Sequence, residues 1–587
     1  MIRRIAFTKA VFAGAVGALA WEGVARLIHL TGVRVFDIVW VLGTLTPTLN
    51  SQWKWWPIGI AVHLGIGAIW AIFYAFFFWE TLRLPRWAQG MIFAIGPALL
   101  AGVVVVPELG SIHQAINELA PANPGIFAWR LGWSAPFTII LGHAVYGFVL
   151  GLLYVRPVGA PAGKPPHWKH SPVGARQWDH PMPPAPNGNF MFATGIECSY
   201  PTIDHGRWRM DELQLTNHYR YWRRDIELVR ESGLRYLRYG PPFYRIMLGP
   251  GRYDWAFTDA VCGAMRELGV TPIMDLCHFG VPQWLGNFQN PEFPHALAEY
   301  ARAFAQRYPW VRFYTPVNEM YVTARMSTLD GAWNEQMQSE DGYVRAQLNI
   351  VKAAMLVMEA IQKIQPRAVF IVSESSEFYQ ACCPDDAIIR KADFENQRRF
   401  IALDFLYQAK MQPQIEQHLR NHGMTDAEHA WLRNQPPAGR CVMGIDYYAW
   451  NEKVIDVHLQ PESLGELFGW YVITQQYYER YHRPIMHTET NCPDAKQAPG
   501  WIWRQWHNVQ MIRRANVPVV GFTWYSLQDQ VDWDSGLTLS RGNVNPVGLY
   551  DLNRDEREVG QAYRHLVRLF RNEPLPDIPW LKEAITS

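Results

Sequence analysis

The chain has 587 residues, too many for one ordinary domain, so at least two units are expected. A net charge of +1 without a long basic run leaves no electrostatic footprint for nucleic acid. Charged residues reach only 18%, against a typical share of about 25%, while hydrophobic residues make up 49%, a balance that places part of the chain in lipid. The seven cysteines are scattered and carry no CxxC pair, and the adjacent Cys382 and Cys383 do not bridge each other in ordinary geometry. This pattern fits reduced thiols in a reducing compartment, and with no zinc-type spacing neither a metal nor a cofactor is expected.

Residues 1–155 read as an all-α transmembrane domain. Apolar stretches run from Ile5 to Leu30, Pro57 to Trp79, Trp87 to Val106 and Ser134 to Val155. Each is long enough to cross about 30 Å of hydrocarbon at about 1.5 Å per residue. Trp55, Trp56, Trp79, Trp87 and Trp133 sit at their edges as interface anchors. Val35 to Leu45 is too short to cross, which leaves four spans. Arg3, Arg4 and Lys9, then Arg83 and Arg86, then Arg156, Lys164 and Lys169 fall on one side, and the positive-inside rule makes that side the cytoplasm. Arg26, Arg34 and Lys54 fall opposite. An integral protein of the plasma or inner membrane with its remaining bulk in the cytoplasm is the expectation. Glu22, His63 and His143 lie within the spans, as functional groups or as hydrogen-bonding partners between helices.

Residues 156–189, "RPVGAPAGKPPHWKHSPVGARQWDHPMPPAPNGN", are rich in proline, which fixes φ and offers no amide hydrogen; they read as a semi-rigid spacer. From residue 190 to 587 short β-like runs alternate with helical patterns. The runs begin at Phe190, Leu234, Val270, Val311, Ala368, Cys441, Pro484 and Pro518, with helices such as Tyr219–Ser232, Pro294–Tyr308 and Leu464–Tyr481 between them. Eight alternations predict an α/β fold, a (β/α)8 TIM barrel. A doubly wound open sheet would carry a Gly-rich phosphate loop after its first strand, and none is present.

Active sites of such barrels form at the carboxyl ends of the strands. Reading those ends gives Glu197, Arg238, His278, Asn318 with Glu319, Ser373 with Glu374, Tyr447 and Tyr448, Glu489, and Tyr525 with Asp532 and Trp533. A lone strand-end Glu is most often an ion-pair partner. Glu319 at the fourth strand and Glu489 at the seventh share one bowl on a closed barrel, and two carboxylates across a sugar can cleave a glycosidic bond. Trp284 and Trp524 read as core or wall, and Glu374 with Glu377 as a solvated loop.

From Phe190 to about Asn572 the chain resembles glycoside hydrolase family one, the β-glucosidase family of clan A. "YRYWRRDIELVRESGLRYLRYGPPFYRI" resembles the second-strand region, whose Arg touches the nucleophile and is matched by Arg238. "HFGVPQWL" resembles "HWDLPxxL", with His278 on the sugar. "VNEM" resembles "FNEP", which implies Glu319 as acid/base and Asn318 as a hydroxyl contact. "PIMHTETN" resembles "PIYITENG" and implies Glu489 as nucleophile; "GIDYY" resembles "GINYY", with Tyr448 supporting that nucleophile. "GFTWYSLQDQVDW" resembles "GYFVWSLLDNFEW", with sugar contacts at Tyr525, Asp532 and Trp533. The chain departs from the pattern where Glu197 stands for a Gln, Asp446 for an Asn, Asp532 for a Glu, Tyr525 for a Trp and Met320 for a Pro. The sugar's identity is therefore open.

The resemblance implies a membrane-anchored retaining β-glycoside hydrolase that cuts O-glycosidic bonds through a covalent glycosyl-enzyme, on a carbohydrate or glycolipid substrate. Two other readings stand beside it. One is a retaining transglycosidase acting on a membrane glycolipid; the other is a catalytically idle sugar-binding membrane protein, against which the retention of both Glu residues speaks.

Overall fold

The computed structural model describes residues 7–45, 52–78, 84–113, 116, 123–154 and 190–586. It divides into two compact units, Met1–Val158 and Gly159–Ser587. The proline-rich spacer, Arg3, Arg4, Trp79 and Arg83 lie outside the described residues.

Among the described residues of the first unit, four helices are long and apolar enough to cross a membrane: α1 (Phe7–Leu30), α2 (Trp55–Phe78), α3 (Arg86–Ile112) and α4 (Ser134–Leu153). Val35 to Leu45 holds only the short helix Ile38–Gly43. Helices α3 and α4 meet through glycine: a Cβ at Gly90 would lie 2.0 Å from the Gly147 carbonyl oxygen. Such close approach is how helices associate in lipid, where apolar surface gains nothing by leaving its surroundings. The ionisable groups of these helices find partners within the unit. Glu22 Oε1 lies 3.1 Å from His63 Nδ1, the Trp21 ring packs against both His63 and His143, and Arg26 pairs with Asp37 at 2.9 Å.

In the second unit eight parallel strands close a barrel. They are β1 (Met191–Gly195), β2 (Tyr236–Tyr239), β3 (Thr271–Asp275), β4 (Phe313–Thr315), β5 (Val369–Ser375), β6 (Cys441–Asp446), β7 (Ile485–Glu489) and β8 (Val519–Tyr525). Each pairs with its neighbours in sequence and β1 pairs with both β2 and β8. All eight fall on the predicted runs. Both faces of such strands are covered, so they are apolar without polar alternation. The connecting helices are amphipathic; Glu558–Leu569 buries Val559, Tyr563, Leu566 and Val567 on one 3.6-residue stripe against the barrel.

The inside of the barrel is layered. Met191, Tyr236, Ile273, Phe313, Val369, Val442 and Met486 form the floor, closed from below by Leu581, Ala584 and Ile585 of the C-terminal helix Pro579–Thr586. Side chains on a strand alternate with period two. Tyr236 in the floor therefore puts Arg238 inside the layer above, Ile273 does the same for Asp275, and Val442, with Gly444 between, puts Asp446 inside one layer higher. The barrel delivers its charged residues to one end.

Candidate active site

Arg238 is the hub of that end. Its guanidinium donates to Glu489 Oε1, to Asp275 Oδ2 at 2.8 Å and to Asn318 Oδ1, and it is buried. A buried guanidinium between two carboxylates is balanced in charge, although its Nε has no partner, whereas either side alone would be a costly isolated charge. Asp275 Oδ2 also lies 2.8 Å from His278 Nδ1, and Asn318 Nδ2 lies 3.0 Å from His278 Nε2. Because the Asn318 oxygen is taken by Arg238, its amide nitrogen faces Nε2, and Nδ1 faces Asp275. The Tyr525 ring lies parallel to His278 at 6.3 Å, in space left by Gly195, where a Cβ would come within 2.2 Å of that ring.

Glu489 ends β7. Besides Arg238 it accepts a hydrogen bond of 2.8 Å from the Tyr448 hydroxyl on its other oxygen. Glu319 does not end a strand. β4 stops at Thr315, ahead of Pro316, which has no amide hydrogen for a ladder. Glu319 follows in a left-handed turn (φ 37°) that caps the helix Met320–Thr328, and its amide donates to the Ser373 carbonyl at 3.0 Å. The carboxylate oxygens of Glu319, Asp446 and Glu489 all approach within 4.8 Å of one another. Burial pushes the Glu319 carboxyl well above the ordinary range, with Glu489, Asp446 and Glu374 adding repulsion. Asp446, which accepts from the Ser373 hydroxyl at 2.7 Å, is raised by burial and by Glu489, with Arg238 opposing.

These groups open on a cavity of about 540 Å³, within the usual range for small-molecule sites. Of the predicted residues, Glu197, His278, Glu319, Tyr448, Glu489 and Trp533 line it. Arg238, Asn318 and Tyr525 stand behind that lining, in contact with residues that reach it. Asp532 is placed differently: its carboxylate accepts from the amides of Arg541, Gly542 and Asn543 at 2.7–2.8 Å and does not reach the cavity.

The expectation of a solvated loop at Glu374 and Glu377 is corrected, since both are buried. Glu374 accepts from the Tyr321 and Ser375 amides at 3.2 Å, and burial pushes its carboxyl up to about 8. Glu377 lines the cavity, ion-paired with Lys453 and bonded to Asn451. Trp524 is core, as expected, while Trp284 is partly exposed and donates to the Met247 carbonyl at 3.0 Å. Gln530, Asn451 and Lys453 are cavity residues that the strand-end reading missed; Gln530, two positions before Asp532, carried a signal in its alternation.

Among the described residues two groups, Cys198–Asp275–His278 and Glu319–Asp446–Glu489, have ligand atoms close enough to hold a metal ion. In both, the Arg238 guanidinium already binds a member carboxylate, so a protein cation occupies the charge-balancing position.

A closed (β/α)8 barrel with buried acids at the carboxyl ends of its fourth and seventh strand regions defines the class, a TIM barrel with an acidic cavity at the usual catalytic end. Residues 207–455, within the barrel unit, match the family described as Glycosyl hydrolase family 1. The chain is 21% identical over 392 residues to Beta-glucosidase A of Thermotoga maritima, covering 60% of this chain and 86% of that protein. It is also 21% identical over 450 residues to the 6-phospho-beta-glucosidase AscB of Escherichia coli (strain K12), covering 68% and 91%. The solved structure of a family 1 β-glucosidase from Thermotoga maritima superposes with a TM-score of 0.55 at 16% identity, over 67% of this chain and all of that one.

Proposed function

We propose that the protein is a membrane-anchored retaining β-glycoside hydrolase, with residues 190–587 as its catalytic unit, residues 1–155 as its anchor and residues 156–189 as the spacer. The observation that carries the retaining reading is the approach of the Glu319 and Glu489 carboxylates within 4.8 Å. Retaining enzymes keep their two carboxyl groups about 5 Å apart, because the second attacks the sugar directly and no water is held between them.

Glu489 attacks the anomeric carbon, oriented by Arg238 on one oxygen and Tyr448 on the other. Glu319, held protonated by burial and by its acidic neighbours, gives its proton to the departing oxygen. Once Glu489 is esterified its negative charge is gone, the repulsion on Glu319 falls, and Glu319 takes a proton from water as that water attacks. The glycosyl–Glu489 bond breaks, the sugar leaves with its original configuration, and both acids return to their starting states. His278, Trp533 and Glu197 hold the sugar, with Asn318 and Tyr525 positioning the groups that touch it. Four apolar helices support membrane attachment, and the Lys/Arg distribution supports a cytoplasmic catalytic unit.

The test is intact mass after exposure of the detergent-solubilised protein to 2-deoxy-2-fluoro glycosides of several sugars. An adduct that maps to Glu489 is expected. No adduct with any sugar, together with no turnover of activated aryl glycosides, would overturn the reading.

A further inference from the structure

Residues 450–472, which follow β6, gather apolar side chains on the outside of the barrel unit. Val457, Leu459, Leu464, Leu467 and Phe468 are 40–67% exposed, and Trp450 is 43% exposed. Elsewhere in the described barrel unit such side chains stand far apart along the chain. A concentration of this kind marks a surface that meets another apolar body.

The segment is a built hairpin. Glu452–Ile455 pairs antiparallel with Pro461–Ser463 and parallel with Phe378–Ala381. The buried Glu452 accepts from the amides of Phe468 and Gly469 at 2.7 and 2.9 Å and from the Tyr447 hydroxyl at 2.7 Å, which pins the base. At the tip the Asp456 carboxylate accepts from the amides of His458 and Gln460 at 2.9 and 2.7 Å. The polar group is thereby spent on the turn, while Val457 and Leu459 stay exposed. Leu459 sits at φ 61°, in the left-handed region that Gly or Asn enters at lower cost. The base adjoins the cavity: Trp450 and Lys453 line it, and the Trp450 ring stacks on Tyr448 at 4.6 Å.

The tether selects the body that covers this surface. Residues 156–189 join the barrel unit just before β1, whose Met191 lies in the floor, at the end opposite the cavity. Thirty-four residues at about 3.1 Å each reach about 100 Å, whereas a barrel unit of this length is about 55 Å across. The spacer is long enough for the cavity end to turn back to the membrane that holds the anchor, so a bilayer is the apolar surface always within reach.

Resting on the reading of an anchored hydrolase, we infer that the hairpin dips into the bilayer interface and seats the cavity mouth on it, and that the substrate is a β-glycoside with a lipid aglycone. The sugar enters the cavity while its lipid stays in the membrane, which avoids moving a whole acyl chain into water. Trp450 stands at the boundary with the amphipathic ring that interfaces favour. Between Trp450 and Val472 the basic residues are His458 and Lys453, and Lys453 is paired with Glu377. The contact is therefore apolar and indifferent to salt.

The test uses the full chain reconstituted in phosphatidylcholine vesicles that contain dialkylglycerol β-glucoside, β-galactoside or β-mannoside. Soluble nitrophenyl glycosides of the same sugars are the comparison. Val457→Asp/Leu459→Asn removes the apolar tip, and asparagine suits the left-handed turn, so the variant keeps the fold. It should lose at least tenfold on the lipid glycoside and stay within twofold of wild type on the nitrophenyl glycoside, at low and high salt alike. Independently, a nitrobenzoxadiazole label attached through Leu467→Cys should be quenched by nitroxide lipids. One attached through Lys582→Cys, on the helix that closes the barrel floor, should not; both are made in the Cys382→Ser/Cys383→Ser background. The inference is overturned by a variant that keeps its rate on the lipid glycoside, by equal losses on both substrates, or by a wild type that spares lipid glycosides. A Leu467→Cys label that lipids do not quench would overturn it in favour of a protein partner. If the 2-fluoro adduct forms on Glu489 while these hairpin effects fail, the hydrolase reading stands and only this inference falls. No adduct and no turnover of any glycoside would remove both.

Discussion

Replacing Glu319 with glutamine removes the ionisable proton and almost no volume, and it leaves the site's resting charge as it was, so the change isolates what the acid does. General acid catalysis contributes about 10²- to 10⁴-fold, or roughly 3–5 kcal/mol at 1.36 kcal/mol per tenfold. That loss should appear only where the departing oxygen needs a proton. A dinitrophenolate leaves unaided, and the neutral amide stands beside Glu489 as the neutral acid did, with the hydrogen bonds from Arg238 and Tyr448 unchanged. Glycosylation by dinitrophenyl glycosides should therefore stay within about tenfold of wild type, while methylphenyl glycosides lose about 10²- to 10⁴-fold. The second step needs Glu319 as base whatever the leaving group, so the adduct on Glu489 should accumulate as a burst and be visible by mass. Azide, which needs no base, should restore turnover. An equal loss for every leaving group would refute the assignment, because a merely structural Glu would not sort substrates by the acidity of the departing alcohol.

Arg238→Met should destabilise the barrel by about 3–5 kcal/mol, since it strands the buried Glu489 and Asp275 charges; thermal unfolding matching wild type would contradict the hub role. Glu374 gives a pH dependence of defined sign. Its carboxyl is raised from 4.5 to about 8 in the folded protein, so its stabilising effect is complete below the unfolded value and is lost as pH rises toward 8. The wild-type melting temperature should therefore fall more steeply from pH 5.5 to 8.5 than that of Glu374→Gln, and parallel slopes would reject the assignment. Cys382 is exposed while five of the other six cysteines are buried. A membrane-impermeant maleimide should label it in inside-out vesicles and spare it in intact cells; labelling of intact cells would place the catalytic unit outside.

The barrel was legible because parallel strands covered on both faces leave apolar runs in the sequence, and the eight runs from Phe190 to Pro518 all became strands. Charged letters were harder to place, because a sequence shows a side chain's cost in apolar surroundings and not the partner that offsets it. Glu374 and Glu377 read as solvated for that reason, yet backbone amides, Lys453 and Asn451 satisfy them inside the fold. Glu319 was found by its neighbours in a motif and misplaced by element: Pro316 ends the ladder, and a left-handed turn, not a strand, aims the acid.

Asp532 shows what decides such cases. Along Gln530–Val531–Asp532 the period of two puts Gln530 and Asp532 on one face, and the motif favoured Asp532 as the sugar contact. The chain instead enters the left-handed region at Asp532 (φ 63°), and three amides of the Arg541–Asn543 turn converge on its carboxylate. A carboxylate with three short amide bonds gains more there than it would from two sugar hydroxyls that also hydrogen-bond to water. The residue two positions earlier, Gln530, lines the cavity instead, bonded to Glu197 at 3.0 Å. A motif letter thus told that Glu319 and Glu489 would meet, because strand ends converge on a closed barrel, but not which face the Asp532 carboxylate would serve, because that depended on amides ten residues further on.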